Sequence, residues 1–352
     1  MRHFISPFKI ILTAILITAP LHITQAKEPT ELVFLTWPDY IAPEIVTEFE
    51  QDRNVKIRFV YFQGDDTRDR MLLNNNGRGF DLALVSGMSI HTYAKRNWLE
   101  PISEKNIPNL KHVDSRWCTA FKDAERFTVP YSWGTLGIAY RADLVPEAIT
   151  SWKQFFTPPA DIGKSIVMID SGREVIGMAL KSLGYSINTT DVNEIREAEK
   201  LLLQQRSFVR DYSYITITER SSLVSGDAKM AIAFNGDALA VSEHEPRIKF
   251  VIPEEGSLLW VDYLAVMSAS ENKKLAFDFI NYLNKPAVAA KLALYTSYAT
   301  TNKAAEKLLP HDFLNNPTIY PDEAILEMSE AEKSLNPKTA KEYGRIMATL
   351  TR

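Results

Sequence analysis

The sequence predicts an α/β protein built as two lobes. Three observations carry this. Segments rich in β-branched and aromatic residues alternate with segments of helical period, and the turns between them are short; such alternation implies parallel strands covered by helices. The pattern runs from about residue 31 to 85 and resumes from 165 to 295. The chain has 352 residues, long for one compact domain, and shows neither an internal repeat nor a low-complexity linker. Two lobes of ~150 residues each, joined by ordered crossings, fit that length.

The elements follow in order. Glu31–Thr36 is a short strand that stops at Trp37-Pro38, and Pro43–Arg53 places Ile45, Val46 and Phe49 on one helical face. Val55–Phe62 is a second strand, Asp66–Asn75 a helix closed by Asn76-Gly77, and Phe80–Val85 a third strand. Further on, Ser165–Ile169 is a strand and Gly172–Leu183 a helix stopped by Gly184, a residue suited to a helix C-terminus. Asn188 to Asp191 supplies a capping start for a helix that reaches about Gln205. Strands are expected at Lys229–Phe234, Arg247–Ile252 and Leu258–Met267, with a short helix opened by Asp237. Glu271–Leu283 and Pro286–Tyr295 read as amphipathic helices, the second with proline at its first position.

The N-terminus speaks to compartment. Arg2 and Lys9 form a basic region, Ile10–Leu21 an apolar run, and Thr24-Gln25-Ala26 a small-residue site, which together read as a cleavable secretory signal over 1–26 with Lys27 first in the mature chain. The run falls short of the ~20 residues of a spanning helix and contains Pro20. Removing it takes the formal charge from −4 to −6, which argues against a nucleic-acid partner. Cys118 is the only cysteine, so no internal disulfide is possible, and a small buried apolar role suits it.

Catalytic and cofactor signatures are absent from the sequence. It has no phosphate-cradling glycine loop, no dinucleotide fingerprint, no H-E-x-x-H and no nucleophile elbow, and its six histidines are scattered. No cofactor, metal or enzymatic activity is expected. What recurs instead is an aromatic–acid couple beside the ends of strands: Trp37-Pro38-Asp39-Tyr40, Phe234-Asn235-Gly236-Asp237 and Trp260-Val261-Asp262, with Glu174 in the first turn of a helix. In open α/β sheets ligands sit beyond the carboxyl ends of strands. An organic polycation needs this mix. Each ammonium taken from water requires a carboxylate, and aromatic faces pack on methylenes while attracting cations by ~0.5–2 kcal/mol per contact. Each residue also has a structural alternative: the tryptophans as core, the aspartates as caps or turn residues, Glu174 as complement to a helix dipole.

These segments resemble the periplasmic spermidine/putrescine-binding proteins. Trp37-Pro38-Asp39-Tyr40 is similar to the family's N-W-x-[DE]-Y segment, Phe80 to Ser86 to its Y-D-L-V-V-P-S strand, and Pro130 to Thr135 to its P-Y-x-W-G-x stretch. Arg173-Glu174-Val175, Gly177 to Leu180, Leu183 to Ser186 and Asn188 to Asp191 form the most specific block, and Trp260-Val261-Asp262 with Leu264-Ala265 closes the set. The resemblance implies a type II periplasmic binding fold, each lobe a mixed sheet with flanking helices, hinged by two crossings near Thr135 and Trp260. The lobes would be 27–135 plus 261–306 and 136–260 plus 307–352. It implies Trp37 and Tyr40 as aromatic walls, Ser86 as an amine's hydrogen-bond partner, Glu174 and Asp262 as ammonium-binding carboxylates, Trp260 stacking beside Asp262, Tyr298 as a late aromatic and Asp237 as a further acid. Phe234 stands where the family has tryptophan, Ser171 where spermidine binders often have aspartate, and Met88 where they have tyrosine. The family's late glutamine has no clear counterpart in Ala324 to Lys333. The implied protein is a periplasmic monomer that delivers a polyamine (spermidine, norspermidine or putrescine) to an inner-membrane ABC permease. The alternative is a sensor signalling through a membrane receptor that controls cyclic-di-GMP output.

Overall fold

The computed structural model describes residues 29–352; the expected signal segment 1–26 and Lys27 lie outside the described residues. The first three strands are β1 (Thr30–Thr36), β2 (Val55–Tyr61) and β3 (Leu82–Ser86). They pair in parallel in the order β2-β1-β3, with helices Pro43–Arg53 and Asp65–Asn74 as crossovers. A parallel pair cannot be closed by a tight turn, so the chain must leave the sheet and return through such a helix. After β4 (Thr128–Arg141), strands β5 (Ile166–Met168), β6 (Val209–Tyr212) and β7 (Met230–Phe234) repeat this scheme in the order β7-β5-β6. Helices Gly172–Ser182 and Val192–Gln205 cover them, the second capped by Asp191, whose carboxylate accepts from the Asn193 amide at 2.7 Å.

Side chains sort by the strand period of two. In the first lobe Phe34, Leu82, Leu84 and Leu264 enter one core, while Leu35, Ala83, Val85, Tyr263 and Ala265 enter another on the opposite face. The second lobe does the same, with Ile138, Ile166, Met168 and Ile232 on one side and Ala139, Val167, Ala231 and Ala233 on the other. Both sheets are therefore sandwiched, and each must expose its strand ends, which leaves the ends facing the other lobe as the place for a ligand.

Antiparallel strands join the lobes. β4 spends Thr128–Thr135 on β9 (Leu259–Val266) and Leu136–Arg141 on β7 and β8 (Ile248–Val251); β9 then pairs β3, and β10 (Ala299–Thr300) pairs the first half of β4. The two crossings thus lie side by side, with Thr135 opposite Leu259 and Gly134 opposite Trp260. Gly134 has to be glycine: a Cβ there would stand 2.3 Å from Asn235 Oδ1 and 2.6 Å from Trp260 Cζ2. The resemblance implied two crossings; the chain makes a third. Phe313, Ile319 and Tyr320 pack with the first lobe, whereas Tyr343, Ile346 and Leu350 of the helix Pro337–Leu350 enter the second lobe's core. Between them Glu330 bridges to Leu258, alongside the other crossings.

Candidate functional site

The site grows from the middle of β9. Asp262 is paired in register with Ser86 on β3 and with Ser132 on β4, so a carboxylate emerges between two hydroxyls at the lobe junction. The Tyr40 hydroxyl donates to Asp262 at 2.9 Å and lies 3.2 Å from Ser132 Oγ. Tyr131 in turn donates to the Tyr40 carbonyl at 2.7 Å, which fixes the turn after β1. Asp39 within that turn takes φ +54° and is exposed. It serves the turn rather than joining the other acids, in keeping with the tolerance of aspartate for left-handed backbone.

Six aromatic side chains run round the lobe junction. Tyr40 lies 5.8 Å from Tyr298, Tyr298 4.8 Å from Trp260, Trp260 6.0 Å from Phe234, Phe234 6.5 Å from Tyr214, and Tyr214 6.3 Å from Trp37. The Trp37–Tyr40 turn closes the circuit. Trp37 itself is backed by Phe62 at 4.6 Å. Both lobes contribute, and Trp260 comes from the β9 crossing, so the circuit exists only where the lobes meet. The Trp260 Nε1 donor is buried without a hydrogen-bond partner among the described residues.

Acids stand at both ends of this circuit. At one end, Asp262 and Asp237 each receive a tyrosine hydroxyl, Tyr298 donating to Asp237 at 3.1 Å. Burial pushes Asp237 up to about 6 against the hydrogen bond from Tyr298. Burial pushes Asp262 up to about 7, with the charge of Asp65 adding and the Tyr40 hydrogen bond opposing. Tyr40 and Tyr298 are held well above the usual phenol range by burial and by these same carboxylates, so they remain donors. At the other end, Glu174 accepts from the Ser171 hydroxyl in the first turn of its helix. Burial raises Glu174 and Glu332 alike, the charge of Glu332 raises Glu174 further, and Arg173, with Nε 3.4 Å from Glu332, opposes the shift on Glu332. The common physical cause is burial, which draws the carboxylates out of water; at Asp262, Glu174 and Glu332 the charge of a neighbouring carboxylate adds to it. A cation placed among them reverses that cost.

Nine of the ten residues expected from sequence line this region or its immediate backing: Trp37, Tyr40, Ser86, Glu174, Phe234, Asp237, Trp260, Asp262 and Tyr298. Tyr214, Asp65 and Glu332 were not among them. Tyr214 carried no binding signal of its own: Ser213 separates it from Tyr212, so the two form no adjacent tyrosine pair, and no acid follows it as in the aromatic–acid couples. Glu332 lies within the stretch where a glutamine was sought, and the acid two residues after Glu330 was the available clue. Among the described residues no three histidine, cysteine or acidic side chains are grouped to hold a metal ion, and no helix is long and apolar enough to cross a membrane.

Comparison with known proteins bears on this geometry. The family model for bacterial extracellular solute-binding proteins matches residues 44–321. The chain belongs to that family. It is 28% identical over 322 residues to a spermidine/putrescine-binding periplasmic protein of Salmonella typhimurium, covering 90% of each chain. It is 29% identical to the norspermidine sensor of Vibrio cholerae, covering 91% of this chain and 89% of the sensor. Among solved structures, a putative spermidine/putrescine ABC transporter protein from Listeria monocytogenes superposes with a TM-score of 0.83 at 30% identity, over 91% of this chain and 98% of that one. The family is one of solute binders, and in this chain the aromatic circuit lies between the two lobes.

Proposed function

We propose that this chain is a periplasmic polyamine-binding protein that closes its lobes on a linear, multiply charged amine. The observation that carries the proposal is the interlobe circuit of Trp37, Tyr40, Tyr214, Phe234, Trp260 and Tyr298 with carboxylates at both ends. Aromatic faces suit the methylenes between amines, and acids at separated positions suit the amines themselves. In this account Asp237 and Asp262 take one ammonium end, Glu174 and Glu332 the other, and Ser86 backs the first. The lobes divide at Thr135 and Trp260, residues 307–320 going with the first lobe. The chain acts without catalysis and hands its ligand to an inner-membrane ABC permease. The names of the relatives support polyamines as the ligand class and the periplasm as the compartment. A sensor role through a membrane receptor shares the same binding step, and deletion of the gene separates the two by its effect on polyamine uptake.

The test is isothermal titration of the protein, refolded to strip bound ligand, with putrescine, norspermidine, spermidine and spermine, and with glycine and γ-aminobutyrate as zwitterionic controls. Micromolar or tighter binding of at least one polyamine, with neither control bound, is expected. Binding of the zwitterions in preference to every polyamine would overturn the assignment.

A further inference from the structure

Asp65 and Arg68 form a unit that neither the sequence motifs nor the aromatic circuit explains. Asp65 opens the helix Asp65–Asn74 of the first lobe, and its side chain is 28% exposed. It accepts the Ser86 hydroxyl at 2.5 Å and Arg68 Nη1 at 2.8 Å. Ser86 is the register partner of Asp262, so Asp65 stands one side chain away from Asp262. Its neighbour Gly64 approaches the second lobe, where a Cβ would lie 4.0 Å from Tyr214 Oη. The charge of Asp65 reaches Glu174 and Glu332 on the far side of the cleft as well as Asp262.

Arg68 is fully buried. Its guanidinium donates to Tyr93 at 3.0 Å, Asp65 at 2.8 Å, Asp69 at 3.1 Å, Ser86 at 3.2 Å and Ser89 at 2.8 Å, and it lies 5.5 Å from the Phe62 ring that backs Trp37. A guanidinium with its donors so committed cannot turn to a ligand; it fixes what it touches. Two acids, Asp65 and Asp69, against one guanidinium leave the unit negative, so it attracts a cation despite containing one. A carboxylate has about four lone-pair sites, and Asp65 uses two, which leaves room for an ammonium.

Resting on the polyamine reading, we propose that Asp65 is the first lobe's carboxylate for the terminal ammonium that Glu174 and Glu332 meet from the second, with Arg68 as its positioning residue. The lobes then come together around a charged amine end, and a neutral end leaves acids from two lobes facing one another.

The test compares norspermidine with norspermidine acetylated at one terminal amine, by calorimetric titration. The wild-type protein is expected to prefer the unmodified triamine by about tenfold to a hundredfold, the range for a hydrogen-bonded charged group. Asp65→Asn keeps the size and an acceptor for Ser86, and should shrink that preference to within about threefold by weakening the triamine alone. Arg68→Lys should cut the preference partly, and should add nothing in the Asp65→Asn background, because both act through one carboxylate. Melting curves confirm folding, and Asp65→Ser replaces Asp65→Asn if the latter does not fold. A folded Asp65 variant with the wild-type preference would overturn this proposal while leaving the polyamine reading in place. Failure of the wild-type protein to bind either amine would instead remove the reading on which it rests.

Discussion

Replacing Asp262 by asparagine should make the ligand-free protein more stable and unable to do its work. Burial and Asp65 hold the Asp262 carboxyl at about 7, against 3.8 for an ordinary aspartate. Between those values the folded protein retains a proton that the unfolded chain has released, so stability falls as pH rises and levels off above about 7. At 1.36 kcal/mol per tenfold step the full cost at pH 8 is about 4 kcal/mol, or about 2 kcal/mol if solvent in the cleft screens half of it. Asp262→Asn removes this cost while retaining an acceptor for the Tyr40 hydroxyl. The variant should therefore exceed wild type by about 2–4 kcal/mol at pH 8, shrinking to about 1 kcal/mol or less at pH 4.5. Urea unfolding in amine-free phosphate at the two pH values measures the difference. The same variant should lose polyamine affinity by about a hundredfold or more, since it leaves a buried ammonium without its charge partner. A variant destabilised equally at both pH values would mean that Asp262 is a structural acid, and the reasoning would fail.

Three further outcomes follow from the same geometry. Gly134→Ala drives a methyl into Asn235 and Trp260 at the crossing, and should cost about 1–3 kcal/mol of stability together with polyamine affinity; urea melts and titrations report both. Trp260→Leu keeps an apolar wall but removes the aromatic face, so affinity should fall roughly threefold to thirtyfold, in line with one cation–π contact, with the fold intact by circular dichroism. Glu332→Gln removes the charge that raises Glu174, so Glu174 ionises at lower pH, and the acid limb of the affinity–pH profile should move down in pH as its plateau drops.

Much of this architecture was legible because its local signals agree. The segment before Trp37, the helix beginning at Pro43, the helix stopped by Gly184 and the helix opening at Pro286 all appear within a residue or two of expectation. β4 was not legible. It is buried along nearly its whole length, so it shows no alternation, and Pro130, Gly134 and Gly137 within it read against a central strand. The helix Pro337–Leu350 lay outside the expected elements although its signal is readable: Pro337 opens it, and Thr339, Tyr343, Ile346 and Leu350 recur at helical spacing and are buried. In the site, residues carried by strand ends and by recurring motifs were visible. Asp65, at a helix start, and Tyr214, just after β6, were not, because locally they read as a capping acid and an ordinary aromatic; Glu332 was not, because it reaches the site from the third crossing, which only the tertiary fold defines. Asp39 shows the converse, a residue of the right chemistry in the right motif that the backbone turns into solvent.

The central claim is that this cleft recognises amines through its carboxylates. A crystal structure of the protein with its tightest-binding polyamine tests it most directly. The account predicts one ammonium within about 3 Å of Asp262 or Asp237 and another within about 3 Å of Glu174, Glu332 or Asp65, with methylenes against Trp260 and Trp37. An amine bound away from these acids, or acids still hydrogen-bonded only to Tyr40, Tyr298 and Ser171 beside a bound ligand, would contradict it.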